Sequence, residues 1–174
     1  MSRLGSFSIV PFTSAHRSRF RDLNLEWVEE FFSVEPRDLD ELEHPERSII
    51  ARGGFIFVAI DGAQAVLGAC ALLRRDDGVY EIAKMAVAKE HRRQGIGRAL
   101  VERAVAEARS RDAPRVELLT HARLPEAVRL YRSLGFLDVP VPGSDYSRAT
   151  SEGGLKMVLT LVPASDAPFT SRDE

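Results

Sequence analysis

Three apolar runs, FIFVAI (55–60), AVLGACALL (65–73) and VYEIAKMAV (79–87), follow one another with little but DGA and RRDDG between them. Each run is short, bounded by turn residues and rich in Val, Ile or Phe, which reads as strand. Separators of the Asp-Gly type are hairpin turns, so the three strands form an antiparallel meander. Beyond residue 87 the pattern changes. HRRQGIGRAL (91–100) leads into a helix whose Leu100, Val101, Ala104, Val105 and Ala108 share one face to about Arg111, and RVELLT (115–120) is again a strand. A strand-helix-strand unit joined to a meander requires a mixed sheet.

The flanking segments complete the order. FSIVPF (7–12) reads as a strand ending near Pro11, and residues 13–32 take a helical period in which Phe20, Leu23, Trp27 and Phe31 share a face, with Pro36 as the stop. DLDELEHPE (38–46) is a second short helix. PEAVRLYRSLGF (125–136) starts with Pro in a first turn and stops at Gly135, a left-handed C-cap, and GFLDV and LKMVLTLV supply two more strands. The order β-α-α-β-β-β-α-β-α-β-β predicts an α+β, three-layer α/β/α fold on a mixed, mainly antiparallel seven-stranded sheet. No repeat or linker divides it: residues 1–162 read as one domain and 163–174 as a short disordered tail.

Length and charge limit the function. A chain of 174 residues can bury roughly 70% of its unfolded surface around a single core. With 24 Lys and Arg against 26 Asp and Glu the net charge is -2, so no global field draws nucleic acid or an anionic membrane. Cys70, the single cysteine, lies in an apolar run and reads as a buried strand thiol. Neither a signal-peptide pattern nor a run of ~20 apolar residues is evident, so the expectation is a cytoplasmic protein with no membrane partner.

The loop between the strand EIAKMAV and its helix is where an anion would be held. Amides at a helix N-terminus are unpaired and face the positive end of the dipole, which makes the junction a phosphate site. Gly95 and Gly97 allow close backbone approach, and Arg92 and Arg93 can add charge-assisted bonds. A dinucleotide fingerprint would need glycine at position 100, which is Leu100; a P-loop would need Lys-Ser or Lys-Thr after Gly97, where the chain has Arg98 and Ala99.

Arg92-Arg93-Gln94-Gly95-Ile96-Gly97, with AVRLYRSLGF about thirty residues downstream, resembles the signature of the GCN5-related N-acetyltransferase (GNAT) family. The close resemblance covers roughly residues 65–161. It implies an acetyl-CoA co-substrate, and no metal. The pyrophosphate would rest on the amides of Arg92, Arg93, Gln94, Gly95, Ile96 and Gly97, with Arg98 as a further cofactor contact, and the pantetheine arm would pair with the backbone of Met85, Ala86 and Val87. It further implies transfer of acetyl to a primary amine, on a small molecule or a protein, by direct attack. Glu81 stands at the family's position for the base that takes the amine proton, directly or through water. Strand alternation puts it with Val79, Ala83, Met85 and Val87, though a bulge would shift that pattern and a sheet-face ion pair with an arginine is the competing reading. Tyr131 stands where the family places the acid that protonates the departing thiolate, against which stands a packing role beside Leu130 and Leu134.

Two positions depart from the family: Leu124 where many members carry Asn, and Leu119 where some carry a second glutamate. His121 closes the strand, either lining the site or standing as a partly exposed loop residue. The resemblance places the acceptor near residues 24–43 and 140–154, with Asn24, Trp27, His121, Tyr146 and Arg148 as candidate contacts. From Glu26 to Glu46 there are nine acidic residues and one arginine, Arg37, which suits a cationic amine or a solvated helix face. A non-catalytic acyl-CoA sensor and an enzyme for another acyl group are the alternatives, and a homodimer is left open.

Overall fold

Seven strands form one sheet in the order β1-β2-β3-β4-β5-β7-β6 in a computed structural model that describes residues 6–140 and 152–161. They are β1 (Ser8–Pro11), β2 (Phe55–Ile60), β3 (Val66–Arg74), β4 (Tyr80–Val87), β5 (Arg115–His121), β6 (Leu137–Val139) and β7 (Gly154–Thr160). The helices are α1 (Arg17–Phe31), α2 (Pro36–Glu43), α3 (Pro45–Ser48), α4 (Ile96–Ser110) and α5 (Pro125–Ser133). All neighbours pair antiparallel except β4 and β5, the two strands that α4 connects. The expected tail, like Tyr146 and Arg148, lies outside the described residues.

The meander forms where the turn chemistry put it. Asp61 Oδ1 accepts from the amides of Ala63 and Ala65 at 2.9 and 2.8 Å, and Gly78 takes the left-handed conformation (φ +78°) that closes the second hairpin. The first helix, however, stops at Phe31, and Pro36 opens α2 instead of ending α1. Proline suits a first helical position because its missing N–H has no partner there anyway.

Alternation along β2 feeds two cores. Phe57 and Ala59 face α4 and α5, while Ile56, Val58 and Ile60 face α1 and α2. Cys70 is fully buried and burial pushes its thiol up to about 12, so it stays protonated and inert. Among the described residues no helix is long and apolar enough to cross a membrane.

A bulge in β4 corrects the expected alternation. Ala71 pairs with Ala83 but Ala69 pairs with Ala86, so β4 carries one extra residue, and Lys84 takes a left-handed φ of +48°. Glu81 and Ala83 therefore face α1, whereas Met85 and Val87 turn to the α4 face. Past the bulge β4 also parts from β5, whose pairing with it covers Tyr80↔Val116, Glu81↔Glu117 and Ile82↔Leu118. The result is a wedge in the sheet through which side chains of both helical layers can meet.

Candidate active site

The loop at the wide end of the wedge presents a row of donors. Gly95 caps α4 with φ +82° and Arg93 is also left-handed at +62°. No described residue accepts from the amides of residues 93–98. Six consecutive free N–H groups at a helix N-terminus are an anion cradle. The two glycines serve it differently. Gly95 is needed for its φ, as a Cβ there would meet nothing within 4 Å; a Cβ on Gly97 would meet Met85 Cε at 3.3 Å and Leu130 Cδ2 at 3.5 Å.

The loop side chains are occupied elsewhere. Arg92 makes a bidentate pair with Glu30 at 3.1 and 2.8 Å, and its Nε donates to the Val87 carbonyl at 3.2 Å, pinning the loop to α1. The bonds with Glu30 raise the Arg92 guanidinium above its ordinary value and lower the carboxyl of Glu30. Arg93 is exposed and meets Glu126 at 3.0 Å, Gln94 reaches the Glu90 carbonyl at 3.4 Å, Arg98 donates to Ser133 at 2.7 Å, and the Ile96 side chain is core. Ala86 and Val87 pair with β3 on one edge, Met85 lies in the bulge, and the other edge of all three faces the wedge.

A cavity of about 140 Å³ continues from that edge, lined by Asn24 and Trp27 of α1, Phe32, Glu81, His121 and Tyr131 among others. Glu81 Oε2 accepts from Arg75 Nε at 2.9 Å and from Nη2 of the same guanidinium, so the ion pair is real, with its partner on the β3–β4 hairpin. Glu81 Oε1 has no described protein partner. Every enclosed side-chain polar atom among the described residues is hydrogen-bonded, so Oε1 retains solvent access, and Glu81 lines the cavity. The same holds for the Tyr131 hydroxyl and for Oδ1 of Asn24, whose Nδ2 donates to the Phe20 carbonyl at 2.9 Å. Tyr131 is 6% exposed and meets Phe136 edge-on at 5.9 Å; burial, and secondarily Cys70, raises its phenol above the ordinary value. His121 is buried, not a partly exposed loop residue: its Nδ1 accepts from the Arg123 amide at 3.1 Å and its ring lies edge-on to Phe32 at 5.4 Å.

Residues not singled out from sequence stand beside this cavity. Lys84 Nζ lies 2.7 Å from Asp38 Oδ1 and 2.9 Å from Glu41 Oε2, all three nearly sealed from solvent, and Arg37 Nε donates to Glu41 at 3.0 Å. The i,i+3 spacing of Asp38 and Glu41, opposite a lysine inside an apolar run, was the available signal. The acidic stretch is largely neutralised, for Glu26 pairs with Arg19, Glu30 with Arg92, Asp40 with Arg47 and Glu46 with Arg17.

The acetyltransferase (GNAT) family model matches residues 20–136. The chain belongs to the GNAT family. Solved structures agree in fold. An acetyltransferase of the GNAT family from Staphylococcus aureus Mu50 superposes with a TM-score of 0.78 at 21% identity, over 90% of this chain and 100% of that one. An acetyltransferase from Streptococcus agalactiae 2603 gives 0.75 at 23% identity, over 89% and 98%. A spermidine N-acetyltransferase chimera from Vibrio cholerae and hSSAT gives 0.70 at 20%, over 88% and 95%. No curated protein matches the sequence. As a GNAT enzyme the protein is an acetyltransferase that draws its acyl group from a CoA thioester.

Proposed function

We propose that the protein transfers acetyl from acetyl-CoA to a primary amine by direct attack, with Glu81 as base and Tyr131 as acid. The observation that carries this reading is that Glu81, Tyr131 and Asn24, each with a polar atom that no described residue takes up, line one cavity at the end of an unpaired strand edge. The six free amides of residues 93–98 suit a pyrophosphate, and the open edge of Met85–Val87 suits the amides of a pantetheine arm. Bound acetyl-CoA supplies the activated thioester. An alkylammonium of pKa ~10 must first lose a proton, and Glu81 takes it at Oε1 while Oε2 holds Arg75. Asn24 Oδ1 accepts from an amine N–H and orients it. Tyr131, kept protonated by burial, donates to the departing sulfur. Trp27, Phe32 and His121 wall the acceptor side. One structural neighbour is a spermidine N-acetyltransferase chimera, which makes polyamines a sensible part of an amine screen.

Binding tests the cradle. Gly97→Asp places a carboxylate between β4 and α5 beside the cradle, so acetyl-CoA affinity measured by calorimetry should fall at least tenfold, about 1.4 kcal/mol. Gly97→Ala, which asks only the flexible end of Met85 to yield, should cost less. Unchanged affinity in a folded Gly97→Asp protein removes the claim.

Tyr131→Phe separates an acid from a packing residue. A thiolate whose conjugate acid has pKa ~8.5 leaves fairly well unaided, and a phenol raised by burial is a weak acid, so turnover should fall by only roughly 10–10². The ring and its contact with Phe136 are kept. Normal turnover with a lowered melting temperature would make Tyr131 structural.

A further inference from the structure

A second cavity, of about 210 Å³, has Leu73 and Ile49 in its wall and lies on the α1–α3 side of the sheet behind the Glu81 ion pair. Arginines from three elements converge on it: Arg37 of α2, Arg52 of the 3₁₀ turn Ile50–Arg52, and Arg74 and Arg75 at the end of β3. Its carboxylates are already taken up, Glu41 by Arg37 and Lys84, and Asp40 by Arg47 at 2.5 Å and the Ser48 hydroxyl at 2.8 Å. Arg75 is matched by Glu81. That leaves Arg52 and Arg74, both exposed and with no salt bridge to a described residue. The Arg74 stem crosses Gly53, where a Cβ would come within 3.0 Å of it, and this brings its guanidinium to the residue next to Arg52. Two uncompensated positive charges thus border one concavity.

We propose that this cavity binds a small dianionic oxyanion of the phosphate class through Arg52 and Arg74, and that the bound ion shares the Arg75 guanidinium with Glu81. Guanidinium forks match the oxygen spacing of such ions bidentately, and two forks balance a dianion. Arg75 gives Nε and Nη2 to Glu81, while its Nη1 bonds to no described residue and can serve the ion. Occupancy of the cavity is thereby felt at Glu81 and at the active site beyond it. The proposal goes beyond the acetyl-transfer reading and does not depend on which residue is the base.

Inorganic phosphate is titrated at constant ionic strength into protein saturated with coenzyme A, which keeps the ion off the loop amides. Saturable 1:1 binding is expected, weakened at least tenfold in Arg52→Ala/Arg74→Ala, whose exposed positions leave folding intact. The Nε–H resonance of Arg75, assigned by its loss in Arg75→Lys, should move along the same isotherm. A parallel titration with glycerol 3-phosphate distinguishes sources: tighter binding marks a phosphate monoester as the ligand, equal binding the free ion. No saturable binding of either ion, binding indifferent to the double variant, or an Arg75 resonance unmoved at saturation overturns the proposal.

Discussion

Glu81→Gln should lower turnover by roughly 10²–10⁴ while leaving acetyl-CoA affinity little changed. Glutamine keeps the volume of the side chain and a carbonyl oxygen to accept from Arg75, so the hairpin contact survives and only the basicity is lost. Affinity should hold because Glu81 faces α1, whereas the free amides of 93–98 belong to the loop before α4. The pH dependence has a definite sign. An amine of pKa ~10 is mostly protonated at neutral pH and becomes free base as pH rises, so the need for a protein base falls and the mutant should recover part of its rate. Thiol release followed from about pH 6 to about pH 10 measures this. Normal turnover at neutral pH would leave Glu81 as the partner of Arg75 and nothing more.

Local signals made most of the frame legible. Apolar runs punctuated by Asp-Gly fixed β2, β3 and β4 nearly to the residue, because turn chemistry and strand length are written within a few positions. Gly135 was legible for the same reason and takes the left-handed conformation expected of a helix end, whereas Gly95, read only as allowing close backbone approach, is left-handed as well. What stayed hidden depends on residues far apart in the chain. Arg92 lies 62 positions from Glu30 and Lys84 lies 46 from Asp38, and no periodicity reports such a partner. Lysine inside EIAKMAV reads as one polar step of an alternating strand, yet it is the bulge itself, and one extra residue was enough to move Met85 and Val87 to the other face. For His121 the sequence left two readings, a site-lining residue or a partly exposed loop residue, because its burial comes from Phe32, just past α1, and from Gly153, both far along the chain.

Lys84→Met should destabilise the fold by about 3 kcal/mol, a fall in melting temperature of roughly 6–12 °C for a chain of this size. The ammonium is held between Asp38 and Glu41 at 2.7 and 2.9 Å, and the lysine side chain is only 7% exposed. Removing one member of a buried ionic cluster typically costs ~3–5 kcal/mol, because the charges left behind lose attraction without regaining water. The lower end applies here, since Glu41 keeps Arg37 and Asp38 keeps the Glu35 amide at 3.0 Å. Methionine matches the stem of lysine and bears the same cost at φ +48°, so backbone strain cancels from the comparison. Asp38→Asn on top of Lys84→Met should recover part of the loss, because it removes the charge that had been left without its ammonium. Urea unfolding of the three variants gives the coupling. An unchanged midpoint in Lys84→Met would mean that α2 is held against β4 by its apolar contacts, and that the bulge opening the wedge needs no ion pair to keep its shape.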